Sequence, residues 1–341
     1  MTRAIQPFEL LTTRGQLGRL RRLGEEALRA YDLTPSWLVP LAHEENTTFL
    51  VIVDRGDRYV LRIHRVSGTP FHPPRTLAEV RSEMAWLFAI RRETDLVVPE
   101  PVGAANGSPL TVAEADGVPG PRTCVLFRRH PGRFLDGGLT PTHLERVGRF
   151  MARLHEHALH FEPPPDFRRW RIGDTTGAVA GYIAATVESA FGSRGRGIAE
   201  DVISSTQRVQ HELGTDHETY GLIHADLHQD NYFFHRGQVR AIDFDDCGWG
   251  HFAYDLSVTL SEVRTRPDYP ALQAALLRGY REARRFPVEH EPHLKTFYRL
   301  RLLQLILWFI EQRHHPAFAD WETEARDGLD ELEMLARRPG A

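Results

Sequence analysis

Cysteine is nearly absent from this 341-residue chain: there are two, Cys124 and Cys247, and neither belongs to a CxxC pair. That excludes a disulfide framework and a cysteine-rich zinc site, and it fits a reducing compartment. Lysine is scarcer still. Lys295 is the sole lysine among 42 Lys and Arg residues, so no chemistry in the first half of the chain can depend on a lysine. Neither sign of charge is in excess: the net charge is −4 and the pI about 6.5. A nucleic-acid partner, which calls for a basic surface, is not expected. Long apolar runs are missing too. The most apolar stretch, 302–310, is interrupted by Gln304 and is far too short to span a bilayer. Met1 to Pro7 lacks the basic-then-apolar pattern of a signal peptide. These absences describe a soluble, cytoplasmic protein with no membrane partner.

What is there is ordinary globular composition, 41% hydrophobic and 26% charged. The length suits two packed lobes. Leu17, Leu20, Leu23 and Leu28 recur at helical spacing within 13–32. The period then shortens. Thr47 to Val53 and Arg58 to His64 are rich in β-branched and aromatic residues and flank the turn Asp54-Arg55-Gly56-Asp57, which predicts an antiparallel hairpin. A proline-rich loop over 67–75 leads to a helix over 76–90. Two further strands are expected over 109–115 and 122–128. From Thr140 onward helices dominate: Leu144, Val147, Met151 and Leu154 form one stripe, and helices are expected over 294–313 and 320–336. Two short strands, 221–225 and 239–244, interrupt this half. The expected fold is α+β. An N-terminal lobe over 1–128 has a small antiparallel sheet, a hinge lies near 127–133, and a larger, mainly helical lobe covers 134–341.

The strongest chemical signal is His224-Ala225-Asp226-Leu227-His228-Gln229-Asp230-Asn231, followed by Ile242-Asp243-Phe244-Asp245-Asp246. Phosphoryl transfer needs a group that orients and deprotonates the attacking hydroxyl, and a divalent metal that neutralises phosphate charge. The metal prefers hard oxygen ligands. Asp226 and Asn231 are five residues apart, the separation of base and metal ligand in the pattern HRDLxxxN. Asp243 stands where the metal-binding aspartate of DFG would stand. Any one of these residues alone reads as a turn or cap residue; their joint spacing is rare by chance. A rival reading takes His224, Asp226 and His228 as a metal-hydrolase cluster. It leaves Asn231 and Asp243 without a role.

HADLHQDN with IDFDD resembles the phosphotransferase enzyme family, which embraces aminoglycoside phosphotransferases, choline kinases, type II homoserine kinases and the bacterial stress-response kinase. Histidine at 228, where protein kinases usually carry lysine, is the small-molecule form of the motif. Gly250 to Leu256, Ala27 to Leu33 followed by Glu45-Asn46, Phe49 to Val53 and Tyr59 to Ile63, Cys124 to Arg133 and Val147 to His155 are also similar to family segments, so the likeness covers roughly residues 25–260. It implies a two-lobed protein-kinase-like fold and an ATP-dependent kinase that uses Mg2+. Asp226 would act on the acceptor hydroxyl, Asn231 and Asp243 would hold metal, and His224 and Asp255 would support the catalytic loop. Phe127 would belong to the hinge that meets the nucleotide.

Two departures matter. The family's phosphate-binding strand lysine is missing, and Arg62 is the candidate in its place. Val60 shares its strand face and would roof the adenine. Arginine suits phosphate through its bidentate fork. A partner carboxylate would come from the following helix, with Glu83 first and Glu79 the alternative. The phosphate-covering stretch His43 to Thr48 contains no glycine. Asn46 is expected to shape that turn, with Glu44 and Glu45 facing outward. The acceptor, a small-molecule hydroxyl compound such as an amino alcohol, homoserine, a sugar or an aminoglycoside, would lie against the C-terminal helices, where Trp308, Glu311, Asp320, Trp321 and Glu324 are candidate contacts. A serine/threonine protein kinase and a nucleotide-binding pseudokinase are the competing readings.

Overall fold

The computed structural model describes residues 6–54, 56–135, 137–314 and 318–337. The expected N-terminal reading of Met1 to Ile5, and Arg55 of the hairpin turn, lie outside them. The chain divides into two compact units: Met1–Pro131 with Pro163–Arg168, and Gly132–Glu162 with Arg169–Ala341. The crossing at Pro131–Gly132 lies in the stretch expected to be a hinge. The return of 163–168 to the first unit is a feature that sequence periodicity cannot show, because a short proline-rich connector has none.

The first unit contains α1 (Thr13–Arg29), β1 (Pro35–His43), β2 (Thr47–Val53), β3 (Arg58–Ile63), α2 (Leu77–Glu93), β4 (Glu100–Pro101), β5 (Thr111–Ala113) and β6 (Arg122–Arg128). Its antiparallel sheet runs β1-β2-β3-β6-β4, with β5 also paired to β6. Leu61 and Ile63 face α1 and join Leu20, Leu23, Leu28, Phe49, Val51 and Leu126 in one core. Alternation along β3 therefore sends Val60 and Arg62 to the other face. Strand β1 was not expected. Of its nine residues only Leu38 is buried, and it holds Pro35 and Pro40. An outer strand tolerates both, since its free edge needs no donor, so the alternation that marks a strand is weak here.

The second unit contains α3 (Pro141–His160), α4 (Gly177–Leu213, interrupted at Gly192), β7 (Tyr220–Ile223), β8 (Tyr232–His235), β9 (Gln238–Ala241), β10 (Gly248–His251), α5 (Phe252–Ser261), α6 (Tyr269–Ala283), α7 (His293–Glu311) and α8 (Trp321–Arg337). The expected two strands are in fact four, arranged as the antiparallel pairs β7/β10 and β8/β9. The stretch expected as a strand over 239–244 ends at Ala241, and Phe244–Asp246 turn into a short 3-10 helix. Helices α3 and α6 touch through glycine. A Cβ on Gly148 would meet the Leu276 carbonyl oxygen at 2.0 Å, and one on Gly279 the Glu145 carbonyl oxygen at 1.9 Å. No helix among the described residues is long and apolar enough to cross a membrane.

Candidate active site

The loop joining β7 to β8 carries Asp226 and Asn231. Its backbone is pinned from below by α5. Asp255 is wholly buried, and its carboxylate accepts the backbone N–H of Ala225 at 2.7 Å, that of His224 at 3.0 Å, and the His155 Nε2–H at 2.9 Å. One turn along, Thr259 donates to the Leu227 carbonyl at 2.7 Å. Charge-assisted bonds to backbone N–H groups are worth about 1.5–3 kcal/mol each. That supply lets Ala225 hold φ 71°, a left-handed conformation that a non-glycine residue adopts at a cost. The support continues downward: the Tyr280 hydroxyl lies 2.8 Å from His155 Nδ1, and both residues are fully buried. Burial pushes the His155 imidazole below its ordinary pKa, against the pull of Asp255. A neutral ring that donates to Asp255 and accepts from Tyr280 satisfies every partner.

His224 ties the loop to the next strand end. Its Nε2–H donates to the Ile242 carbonyl at 2.9 Å and its Nδ1 accepts the Asp226 N–H at 3.3 Å. Burial keeps this imidazole neutral as well. Both ring nitrogens are thus engaged in holding backbone, which removes His224 from the rival metal-hydrolase set. Nor do the described residues contain a cluster of three His, Cys, Asp or Glu side chains able to hold a metal.

The Asp226 carboxylate is gripped at both oxygens. Asn231 Nδ2 donates to Oδ2 at 2.9 Å and to the Asp226 carbonyl at the same distance. His228 Nε2 stands 3.5 Å from Oδ2. Arg301, from the middle of α7, donates to Oδ1 at 2.5 Å. Burial opposes the charge on Asp226, but the Arg301 guanidinium and His228 outweigh it and hold the carboxyl below the usual carboxylate range. For His228 burial disfavours the cation, yet its bond to Asp226 raises its pKa above the ordinary value.

Asp243 follows at once. The Ile242 N–H donates to the Asn231 carbonyl at 2.8 Å, which brings the ends of β8 and β9 together and sets Asp243 beside the catalytic loop. Asp243 is exposed and adopts φ 60°, ψ 66°. The backbone after it is clamped by Arg169, whose guanidinium donates to the carbonyls of Asp245 and Cys247. A divalent cation fits this donor set. The Asn231 amide nitrogen is turned toward Asp226, which leaves its oxygen as the remaining donor, and Asp243 adds a carboxylate. Both are the hard oxygens that such ions prefer.

In the first unit, Arg62 donates to Glu83 Oε2 at 2.5 Å, with side chains only 6% and 1% exposed. Glu79 is occupied elsewhere: it closes a capping box with Thr76 at the start of α2. Val60 lies opposite Phe127 in the β3/β6 ladder, and the Arg62 guanidinium sits 5.1 Å from the Phe127 ring centroid. Asn46 shapes the β1–β2 turn without left-handed backbone. Its carbonyl accepts the Glu44 N–H at 3.3 Å, and its side chain accepts the Arg65 N–H at 3.4 Å. Glu44 is exposed, whereas Glu45 pairs with Arg65 at 3.3 Å.

The candidate acceptor contacts separate. Trp308 and Glu311 follow Arg301 and Gln304 along one face of α7, at spacings of three, seven and ten residues. Glu311 accepts from the Tyr182 hydroxyl at 2.9 Å, and Trp308 packs edge-on against Phe318. Asp320 and Glu324 are exposed, and Asp320 contributes its carbonyl to the first turn of α8. Trp321 stands beside Phe191. Arg301 itself was not anticipated. The available signal was a charge in the middle of a helix whose other residues are mostly apolar, since a buried charge requires a partner. His155 and Tyr280 gave only core periodicity.

This is the build of a kinase: an antiparallel sheet with an ion-paired strand cation in one unit, and a catalytic-loop aspartate with two oxygen donors in the other. The family model described as "Phosphotransferase enzyme family" matches residues 37–292, three quarters of the sequence, and the chain belongs to that family. The amicoumacin kinase of Bacillus subtilis (strain 168) is 25% identical over 249 residues, covering 72% of this chain and 68% of that one. The solved structure of a microcompartment-associated aminopropanol kinase superposes with TM-score 0.72 at 28% identity, over 92% of this chain and 96% of the other. The amicoumacin kinase hAmiN, in complex with AMP-PNP, Ca2+ and Ami, superposes with TM-score 0.73 at 20% identity, over 93% and 96%, and shares the fold. The protein is an ATP-dependent phosphotransferase that moves the γ-phosphate to a hydroxyl of a small molecule.

Proposed function

We propose that this kinase uses Mg2+·ATP, in the cytoplasm, to phosphorylate the hydroxyl of a small amino alcohol or of a similarly sized, homoserine-like compound. Asp226 orients the acceptor hydroxyl and receives its proton. Asn231 and Asp243 hold the metal, which when bound neutralises charge on the phosphates. Arg62, held by Glu83, takes the place of the strand lysine at the phosphates. Val60 and Phe127 contact the adenine, and Asn46 keeps the phosphate-covering turn in shape. His224 and Asp255 fix the loop backbone. The observation that carries this reading is the double grip on the Asp226 carboxylate by Asn231 and Arg301. A carboxylate so held is a weak base. A loose phosphoryl-transfer transition state asks for alignment more than for early proton removal, so weak basicity is no handicap. The amino-alcohol class is supported by the likeness to the aminopropanol kinase over nearly the whole chain.

The test is a screen of Mg2+·ATP consumption over amino alcohols, homoserine, sugars and aminoglycosides, with Asp243→Ala alongside. Turnover with an amino alcohol or homoserine, and loss of metal-dependent nucleotide binding in the variant, are expected. Turnover confined to aminoglycosides or to peptide substrates would overturn the acceptor class.

A further inference from the structure

Helix α7 carries two arginines two residues apart, Arg299 buried and Arg301 partly buried. Arg299 turns toward α4, where it donates to Asp201 at 2.5 Å and to Ser205 at 3.4 Å. Arg301 turns the other way, to the Asp226 carboxylate. Arg299 therefore joins helix to helix, whereas Arg301 joins a helix to the group that meets the substrate. The catalytic-loop backbone does not need Arg301: Asp255, Thr259, His224 and the Ile242–Asn231 bond already fix it. What those bonds leave open is rotation of the Asp226 side chain. Asn231 anchors Oδ2 only, and a carboxylate held at one oxygen can still pivot about that contact. Arg301 closes the second point at Oδ1. With both oxygens anchored, one carboxylate plane remains, and its unused lone pairs point in fixed directions. Alignment to within a fraction of an ångström is where much of the rate of such a transfer lies.

We infer that Arg301 is a positioning residue for phosphoryl transfer, fixing the plane of the Asp226 carboxylate so that a lone pair faces the incoming acceptor oxygen. The inference rests on Asp226 being the residue that meets the acceptor. Arg301 does not touch nucleotide in this role, so it governs turnover and leaves nucleotide affinity alone. Its guanidinium is a rigid planar donor. Lysine, a flexible point charge, replaces it only in part.

The experiment measures Mg2+·ATP turnover, with water as acceptor and with the acceptor found in the screen. Nucleotide binding is followed separately with a fluorescent ATP analogue, and melting temperature is recorded for each variant. Arg301→Met is expected to lower kcat by roughly 100-fold while the KM for ATP stays within about threefold. Arg301→Lys is expected to recover roughly tenfold of that loss. Arg299→Met lowers the melting temperature but leaves the kcat of the folded protein within about twofold. The deciding variant pairs Arg301→Met with Asp226→Asn. If Arg301 acts through Asp226, the double variant is no slower than Asp226→Asn alone. A kcat for Arg301→Met within about threefold of the parent, losses that multiply in the double variant, or an Arg299→Met loss equal to that of Arg301→Met would each overturn the inference. Full activity of Asp226→Asn would overturn the assignment of Asp226 as well, and so separates the two failures.

Discussion

Two short ion pairs between an arginine Nη2 and a carboxylate, one taken from each unit of this kinase, work in opposite directions. In the first unit Arg62 and Glu83 meet at 2.5 Å with almost no exposure. In the second Arg301 and Asp226 meet at the same distance, with side chains 15% and 19% exposed. In the first pair we assign the working partner as the cation, and the carboxylate steadies it from a helix. In the second the working partner is the carboxylate, and the cation steadies it from a helix. Common to both is that the group we assign to substrate sits on a strand or its adjoining loop, and its counter-ion on a helix. The residual exposure at Asp226 suits the role we propose for it at the acceptor; the burial of Arg62 and Glu83 makes that pair costly to break.

The most severe way to break the comparison is Asp226→Asn. It keeps the shape and removes the charge, and should lower kcat by roughly 1000-fold or more while nucleotide binding persists, as a turnover assay beside a binding assay would show. Retained turnover would mean that the second pair is merely structural. Glu83→Gln should come next. It leaves Arg62 buried without its counter-charge, at a cost of about 3–5 kcal/mol in stability, and should raise the KM for ATP. A fall in melting temperature with an unchanged KM would reduce the first pair to packing. The mildest test uses pH. His155 beneath the loop is held neutral by burial, with its pKa below the ordinary value. Its folded form therefore binds fewer protons than its unfolded form. The stability it contributes is present above the unfolded pKa of about 6.5 and is lost as pH falls below it. Asp226 is depressed as a carboxylate, so its contribution survives until far lower pH. Melting temperature should fall between pH 7 and pH 5 through the histidine layer while the Arg301–Asp226 pair stays ionised. His155→Gln should flatten that slope. An equal slope in the variant would assign the effect to other groups.

The two pairs also differ in how readily they could be read. Arg62 and Glu83 lie 21 residues apart on a strand and the helix after it, and the missing lysine directs attention to an arginine on β3. Glu79 and Glu83 compete on sequence alone. What separates them is the capping box that takes up Glu79, a matter of where α2 begins. Arg301 is 75 residues from Asp226 on a helix rich in leucine and isoleucine, where no local spacing indicates a partner. Strand β1 was hidden for the opposite reason: an exposed edge strand with two prolines lacks the alternation that burial imposes on its neighbours.

What the sequence determined by itself is chemistry at short range. Asp226, Asn231 and Asp243 sit at fixed separations because a loop and a hairpin of set length must deliver them, and such lengths are written residue by residue. The β2–β3 hairpin, β6 and helices α1, α2, α3, α7 and α8 followed from periodicity for the same reason, whereas β1, β8 and β10 did not. Only the tertiary structure decided what holds those residues still: Asp255 and His155 under the loop, Arg169 behind Asp245 and Cys247, and Arg301 against Asp226. Those partners arrive from elements distant along the chain. Which of several arginines reaches the Asp226 carboxylate depends on how helices pack, a property of the folded core as a whole.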